Sequence, residues 1–178
     1  MSKKKLKIIG AILAFGLAFP LHFLYEKFPN FITSIFAPVN ESIWEHMKIL
    51  FGGIILSGVI QKIIIKVKHE KMNNICFSNF IGAISSIPIF LIIYLPLYDV
   101  IGESMILAIS VMLIAIIIAE IISYFIMEKE NLRLENLTIF LVIIVYIIFT
   151  VLTYYPLKID LFKDQKKDIY GINEKTSE

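Results

Sequence analysis

The chain has 178 residues, 58% of them hydrophobic, and a mean hydropathy of +0.81; ordinary globular proteins hold about 45–50% apolar residues. Its formal net charge of +2 is too small to suggest a nucleic-acid partner, and no basic tract interleaves with aromatics beyond the short stretch Ser2 to Lys7. Cys76 is the only cysteine, which excludes an intrachain disulfide and a cysteine-rich metal site. Charged residues make up 18% and cluster between long apolar runs, as expected when lipid surrounds the runs and water the gaps. Heavy use of Ile, Lys and Asn fits an AT-rich bacterial genome.

A hydrocarbon core of roughly 30 Å takes about 20 helical residues to cross. In chain order, Ile8 to Tyr25 is the first run of that length, with His22 near its end. It begins like a signal peptide but lacks a small-x-small cleavage site, which favours a retained helix. Phe28 to Val39 follows, too apolar for an ordinary loop and too short to cross; an interfacial or re-entrant segment fits it. Ile43 to Ile65 reaches spanning length when Lys48, Gln61 and Lys62 are counted in, since lysines near helix ends can snorkel. Phe77 to Tyr98 is the next crossing, with Pro88 and Pro96 as sources of a kink. Met105 to Met127 carries the single charge Glu120, and Leu137 to Tyr155 completes the set. The expectation is an all-α, polytopic transmembrane bundle of about five crossings over residues 1–155, with a polar tail from 156 to 178. No internal repeat relates the halves, so symmetric transporter architecture gains no support.

Lysine placement sets the expected orientation in the cell membrane. Lys3, Lys4, Lys5 and Lys7 precede the first crossing, and Lys62, Lys66, Lys68 and Lys71 fall between the second and third. Lys129 and Arg133 lie on that same side. The opposite gaps carry only Lys27 in one and Asp99 with Glu103 in the other. The positive-inside rule places the N-terminus in the cytoplasm and, after five crossings, the tail outside. The tail itself balances five lysines against five acids and does not discriminate.

The densest polar cluster is Asn40-Glu41-Ser42-Ile43-Trp44-Glu45-His46-Met47-Lys48. Local physics accounts for much of it: Asn40 as an N-cap with Glu41 in the first turn, or a capping box from Ser42 and Glu45. Glu41, Glu45 and Lys48 share a helical face and can form an ion-paired stripe, while Trp44 suits an interfacial belt. His46 has no such explanation. It stands five positions from Glu41, off that residue's helical face, so a second helix would have to complete any site. The first crossing offers one at matching depth, with His22 and Glu26 at i, i+4. Two histidines and three glutamates can hold a divalent metal or run acid–base chemistry. The spacing matches no defined metal motif and names no cofactor, and a His with an i+4 Glu is more often a simple hydrogen-bonded pair. Glu120 lies about seven residues, or roughly 10 Å, inside the membrane. A carboxylate there must pair or be protonated, and Gln61 and Lys62 are its depth-matched partners, in a structural contact or in a proton- or ion-related role.

The residues APVNESIWEHMK entering an apolar run resemble the signature of the DUF6512 family of small bacterial membrane proteins. The tail resembles that family's ending, which carries a Pro-Pro pair, a Pro-Leu-Phe-x-Asp step and a closing Tyr-Gly-Ile. Here Leu157 stands in place of the second proline, Asp160 replaces a proline, and Tyr170-Gly171-Ile172 closes the chain's match. The resemblance implies no activity, substrate or cofactor, but it implies that the tail folds back over the outer face near Asn40. Three functional classes stay open. The first is a protein binding a small ligand, ion or lipid headgroup in an outer polar pocket. The second is a membrane enzyme acting on lipid through His46 with Glu41 or Glu45, and the third is a structural or accessory subunit.

Overall fold

The computed structural model describes residues 1–102 and 104–172. Glu103, which the charge pattern assigns to an outer gap, and the last residues of the tail, 173–178, lie outside them. The described chain is mainly helical: α1 Lys3–Lys27, α2 Phe31–Phe36, α3 Ile43–Val67, α4 Ile75–Ile101, α5 Met105–Met127 and α6 Glu135–Tyr154. Five of these, all but α2, are long and apolar enough to cross a membrane. Four are longer at one or both ends than their apolar runs, because polar residues such as Lys3 to Lys7 continue the helix. A helix satisfies its own backbone hydrogen bonds and so is stable through the headgroup region as well as the core.

The chain forms two compact units: residues 1–18 with 50–139, and residues 19–49 with 140–178. In the first, α4 and α5 pack closely, with the buried faces Ser78, Gly82, Ala83 and Ser86 on α4 and Val111, Ala115, Ala119 and Ser123 on α5. Small residues at such a contact let two helix backbones approach, since lipid supplies no hydrophobic drive between helices. Outward-facing Ile92, Val100, Ile106 and Ile117 are the lipid-facing complement. At one end of this unit, Leu6, Ile65, Ile75 and Met127 form a buried apolar cluster.

In the second unit, the apolar stretch after α1 becomes a helical turn rather than a loop. Asn30 and Thr33 cap α2 reciprocally, each side chain taking the other's backbone N–H. Phe28, Phe31 and Ile32 stay exposed, as suits a segment lying in an interface. After α6 the chain makes a 3-10 turn at Asp160–Phe162 and a small antiparallel hairpin, β1 Lys163–Asp164 with β2 Ile169–Tyr170. Asp164 organises its turn, with Oδ1 accepting the backbone N–H of Lys166 and of Lys167. Across the hairpin the hydrogen bond to Asp168 holds the part-exposed Lys163 ammonium above its ordinary pKa. Gly171 has φ +60°, and a Cβ there would strike the Thr153 carbonyl and the Pro156 ring, so only glycine lets the tail close on the end of α6.

Candidate functional site

The site begins with a departure from helical periodicity. Helix α3 starts at Ile43, two residues later than an Asn40 cap would set it. Asn40 is not the cap: its Oδ1 accepts the Ser42 N–H at 2.9 Å in a local turn, while its Nδ2 donates to the Gly171 carbonyl at 2.8 Å. Ser42 takes the capping role, its Oγ accepting the Glu45 N–H at 3.3 Å. The reciprocal half of a capping box is missing, because Glu45 turns elsewhere. Glu41 therefore stands outside the helix, and its backbone N–H donates to Asp164 Oδ2 on the hairpin at 3.1 Å.

That placement overturns the argument separating Glu41 from His46. Face rules hold only within a helix, and from the preceding turn Glu41 reaches back over the first turn of α3. Its Oε2 lies 3.5 Å from His46 Nε2 and 3.7 Å from His22 Nε2, the latter carried by α1. The two imidazole centroids are 5.2 Å apart. His46 Nδ1 lies 2.8 Å from the Ser42 carbonyl, whereas His22 Nδ1 is buried with no hydrogen-bond partner among the described residues. One ligand atom from each of His22, Glu41 and His46 lies within 4.8 Å of the other two. Beside them is a cavity of about 280 Å³ lined by His22, Tyr25, Glu26, Asn40, Glu41 and Lys167 together with Pro29, Pro38 and Val39.

The other candidates go elsewhere. Glu26 lines the cavity but is not one of the three clustered residues. Glu45 is buried and salt-bridged to Lys48 at 2.7 Å, also accepting from the Thr153 hydroxyl at 2.7 Å and the Val39 N–H at 3.0 Å. Lys48, fully buried, completes its shell with the carbonyls of Ser34 and Ala37. The expected stripe of Glu41, Glu45 and Lys48 thus splits in two: one carboxylate faces the histidines, the other anchors the α2 segment. Trp44 packs its indole against Phe149 and Phe162, with centroids at 5.3 and 4.8 Å.

Of the two partners that depth suggests for Glu120, Gln61 bonds it and Lys62 does not. Lys62 pairs with Glu135 at 3.1 Å. The cation beside Glu120 is Lys7, at 3.2 Å, with both side chains buried. Lys7 Nζ also meets Gln61 Oε1 at 3.1 Å, Asn79 Oδ1 at 2.9 Å and Ser123 Oγ at 2.6 Å, and Gln61 Nε2 donates to Glu120 Oε1 at 3.3 Å. Lys7 reads in sequence as the last of a solvated basic run. Its place within the first two turns of α1, four positions past Lys3 and followed by an apolar run up to His22, was the available signal.

No curated protein and no solved structure shows significant similarity to the chain. A family's sequence profile does match, over residues 1–172, and so takes in the Asn40 segment, both histidines of the cluster, Glu120 and the hairpin. The chain belongs to that family, the family of unknown function DUF6512.

Proposed function

We propose that this protein is a multi-pass membrane protein that binds a small hydrophilic ligand or ion in a polar pocket at the outer membrane face. The observation that carries the reading is the cavity itself. In a chain of apolar helices, about 280 Å³ of open space is lined by His22, Tyr25, Glu26, Asn40, Glu41 and Lys167. Drug-sized ligands occupy roughly 300–1,000 Å³, so the occupant here is an ion with its water or a single headgroup, not an acyl chain. The orientation rests on the lysines flanking the α3–α4 and α5–α6 turns, which favour the cytoplasm and leave the cavity and tail outside. The enzyme reading through Glu45 has less support, since that carboxylate is buried and committed to Lys48 and Thr153.

Thermal unfolding of the purified protein in nanodiscs tests the pocket, with divalent cations, phosphate, short carboxylates and glycerophosphodiesters as probes. A ligand at about 100 times its Kd stabilises by roughly 2.7 kcal/mol, a shift of several degrees. The expected result is saturable stabilisation by at least one class. No shift from any class at millimolar concentration overturns the reading. In a Cys76→Ser background, Lys167→Cys should label with an impermeant maleimide in intact cells, and Lys68→Cys only after permeabilisation. The reverse pattern overturns the orientation.

A further inference from the structure

The three residues that meet beside the cavity are spaced for an ion rather than for one another. Normal hydrogen bonds run about 2.7–3.2 Å, and the contacts of Glu41 Oε2 with the two imidazoles, at 3.5 and 3.7 Å, fall outside that range. Two donors each about 2.0–2.1 Å from a tetrahedral zinc ion stand roughly 3.4 Å apart. Both Glu41 contacts are close to that figure. The widest gap in the cluster, within 4.8 Å, closes by rotation of side chains that are all partly exposed.

The surroundings are those a metal ligand needs. A carbonyl only accepts, so the 2.8 Å contact with Ser42 puts the His46 proton on Nδ1 and leaves the Nε2 lone pair facing Glu41. Glu41 is steadied from behind by its backbone N–H to Asp164 Oδ2. On His22 the atom facing Glu41 is likewise Nε2, while its buried Nδ1 has no hydrogen-bond partner among the described residues.

We propose that His22, Glu41 and His46 bind a first-row divalent transition-metal ion, with the remaining coordination position open to the cavity. The proposal rests on the pocket reading and names its ligand. Two imidazoles and one carboxylate are borderline nitrogen and oxygen donors suited to Zn²⁺, Fe²⁺ or Mn²⁺. Calcium and magnesium prefer all-oxygen shells, and Cu(I) prefers sulfur. Structural zinc sites close with four protein ligands, whereas three leave a place for water or a small anion. The single carboxylate leaves the occupied site with one positive charge, and Lys167 lines the same cavity, so an anionic fourth ligand is favoured.

The test uses full-length protein carrying a tag free of histidine, stripped with a chelator and titrated with Zn²⁺ and with Co²⁺ as a spectroscopic probe. One metal ion per chain is expected, with the intense visible bands of four- or five-coordinate cobalt. His46→Gln and Glu41→Gln should each weaken binding by about 100-fold or more, because losing even an outer partner costs roughly 10–100-fold. A wild-type protein that leaves cobalt with its pale six-coordinate water spectrum overturns the proposal, and that readout needs no variant to fold. If metals fail while phosphate or a glycerophosphodiester still stabilises the protein through Lys167, the metal site falls and the pocket stands. If no probe binds, both fall.

Discussion

Lys7 with Glu120, in one unit, and Glu41 with its two histidines, in the other, are built from the same kinds of residue and settled in opposite ways. Lys7 is buried, its ammonium surrounded by a carboxylate, two amide oxygens and a hydroxyl, and Gln61 ties the network back to Glu120. Every proton of the cation has an acceptor, while Glu120 Oε2 meets it only as an ion pair at 3.2 Å. Around Glu41 the side chains are part exposed, no contact with a histidine is short enough for a hydrogen bond, and a cavity lies alongside. A closed network in low dielectric serves the uniqueness of the fold, because half-satisfying it would be costly. An open one leaves coordination capacity for something else. Polar residues in a membrane protein are therefore better sorted by how completely they are satisfied than by how buried they are.

The sharpest way to break that contrast is Lys7→Met, which keeps most of the apolar stem and leaves the buried Glu120 without its cation. It should cost about 3–5 kcal/mol, read as loss of folded protein in a denaturant titration in micelles. Lys7→Met with Glu120→Gln should recover most of the loss. A double variant as unstable as the single one would show that the pair is not coupled. Next in size is Gly82→Ala. A Cβ there would lie 2.8 Å from the Ala119 carbonyl oxygen, a backbone atom that cannot swing away, and such overpacking costs roughly 1–3 kcal/mol. A change below about 0.5 kcal/mol would mean that α4 and α5 part easily.

Asp164→Asn sharpens the other side. It weakens the turn that carries Lys167 and the support behind Glu41. Metal affinity should fall about 10-fold or more while stability drops by only about 1 kcal/mol, measured by cobalt titration and thermal unfolding on the same samples. The smallest effect belongs to Lys62→Ala, whose ion pair with Glu135 is half exposed on both sides. Such pairs contribute about 0–1 kcal/mol, so an unchanged unfolding curve is expected.

The legible part of this protein was the part that lipid dictates. Apolar runs near spanning length mark the crossings whatever their neighbours do, and the start and end of α5 could be read directly from composition. Of the candidate cluster, His22 and His46 could be singled out because nothing local explained His46. Their meeting with Glu41 could not, since helical spacing was applied to a residue that precedes its helix. Glu45 and Glu41 look alike in sequence, yet one is buried against Lys48 and the other faces the cavity.

Sequence alone determined that the chain holds five membrane-length helices, because hydropathy is a local sum and the bilayer thickness sets the length. It also marked where polar residues are too many for lipid. Tertiary structure alone decided their pairing: Lys7 with Glu120 rather than Lys62, Glu45 with Lys48 and Thr153, Glu41 with two histidines from different helices. The physical reason is that partner choice depends on helix rotation and on the path of the connecting turns. Residues far apart in sequence set these jointly, and no local pattern records them.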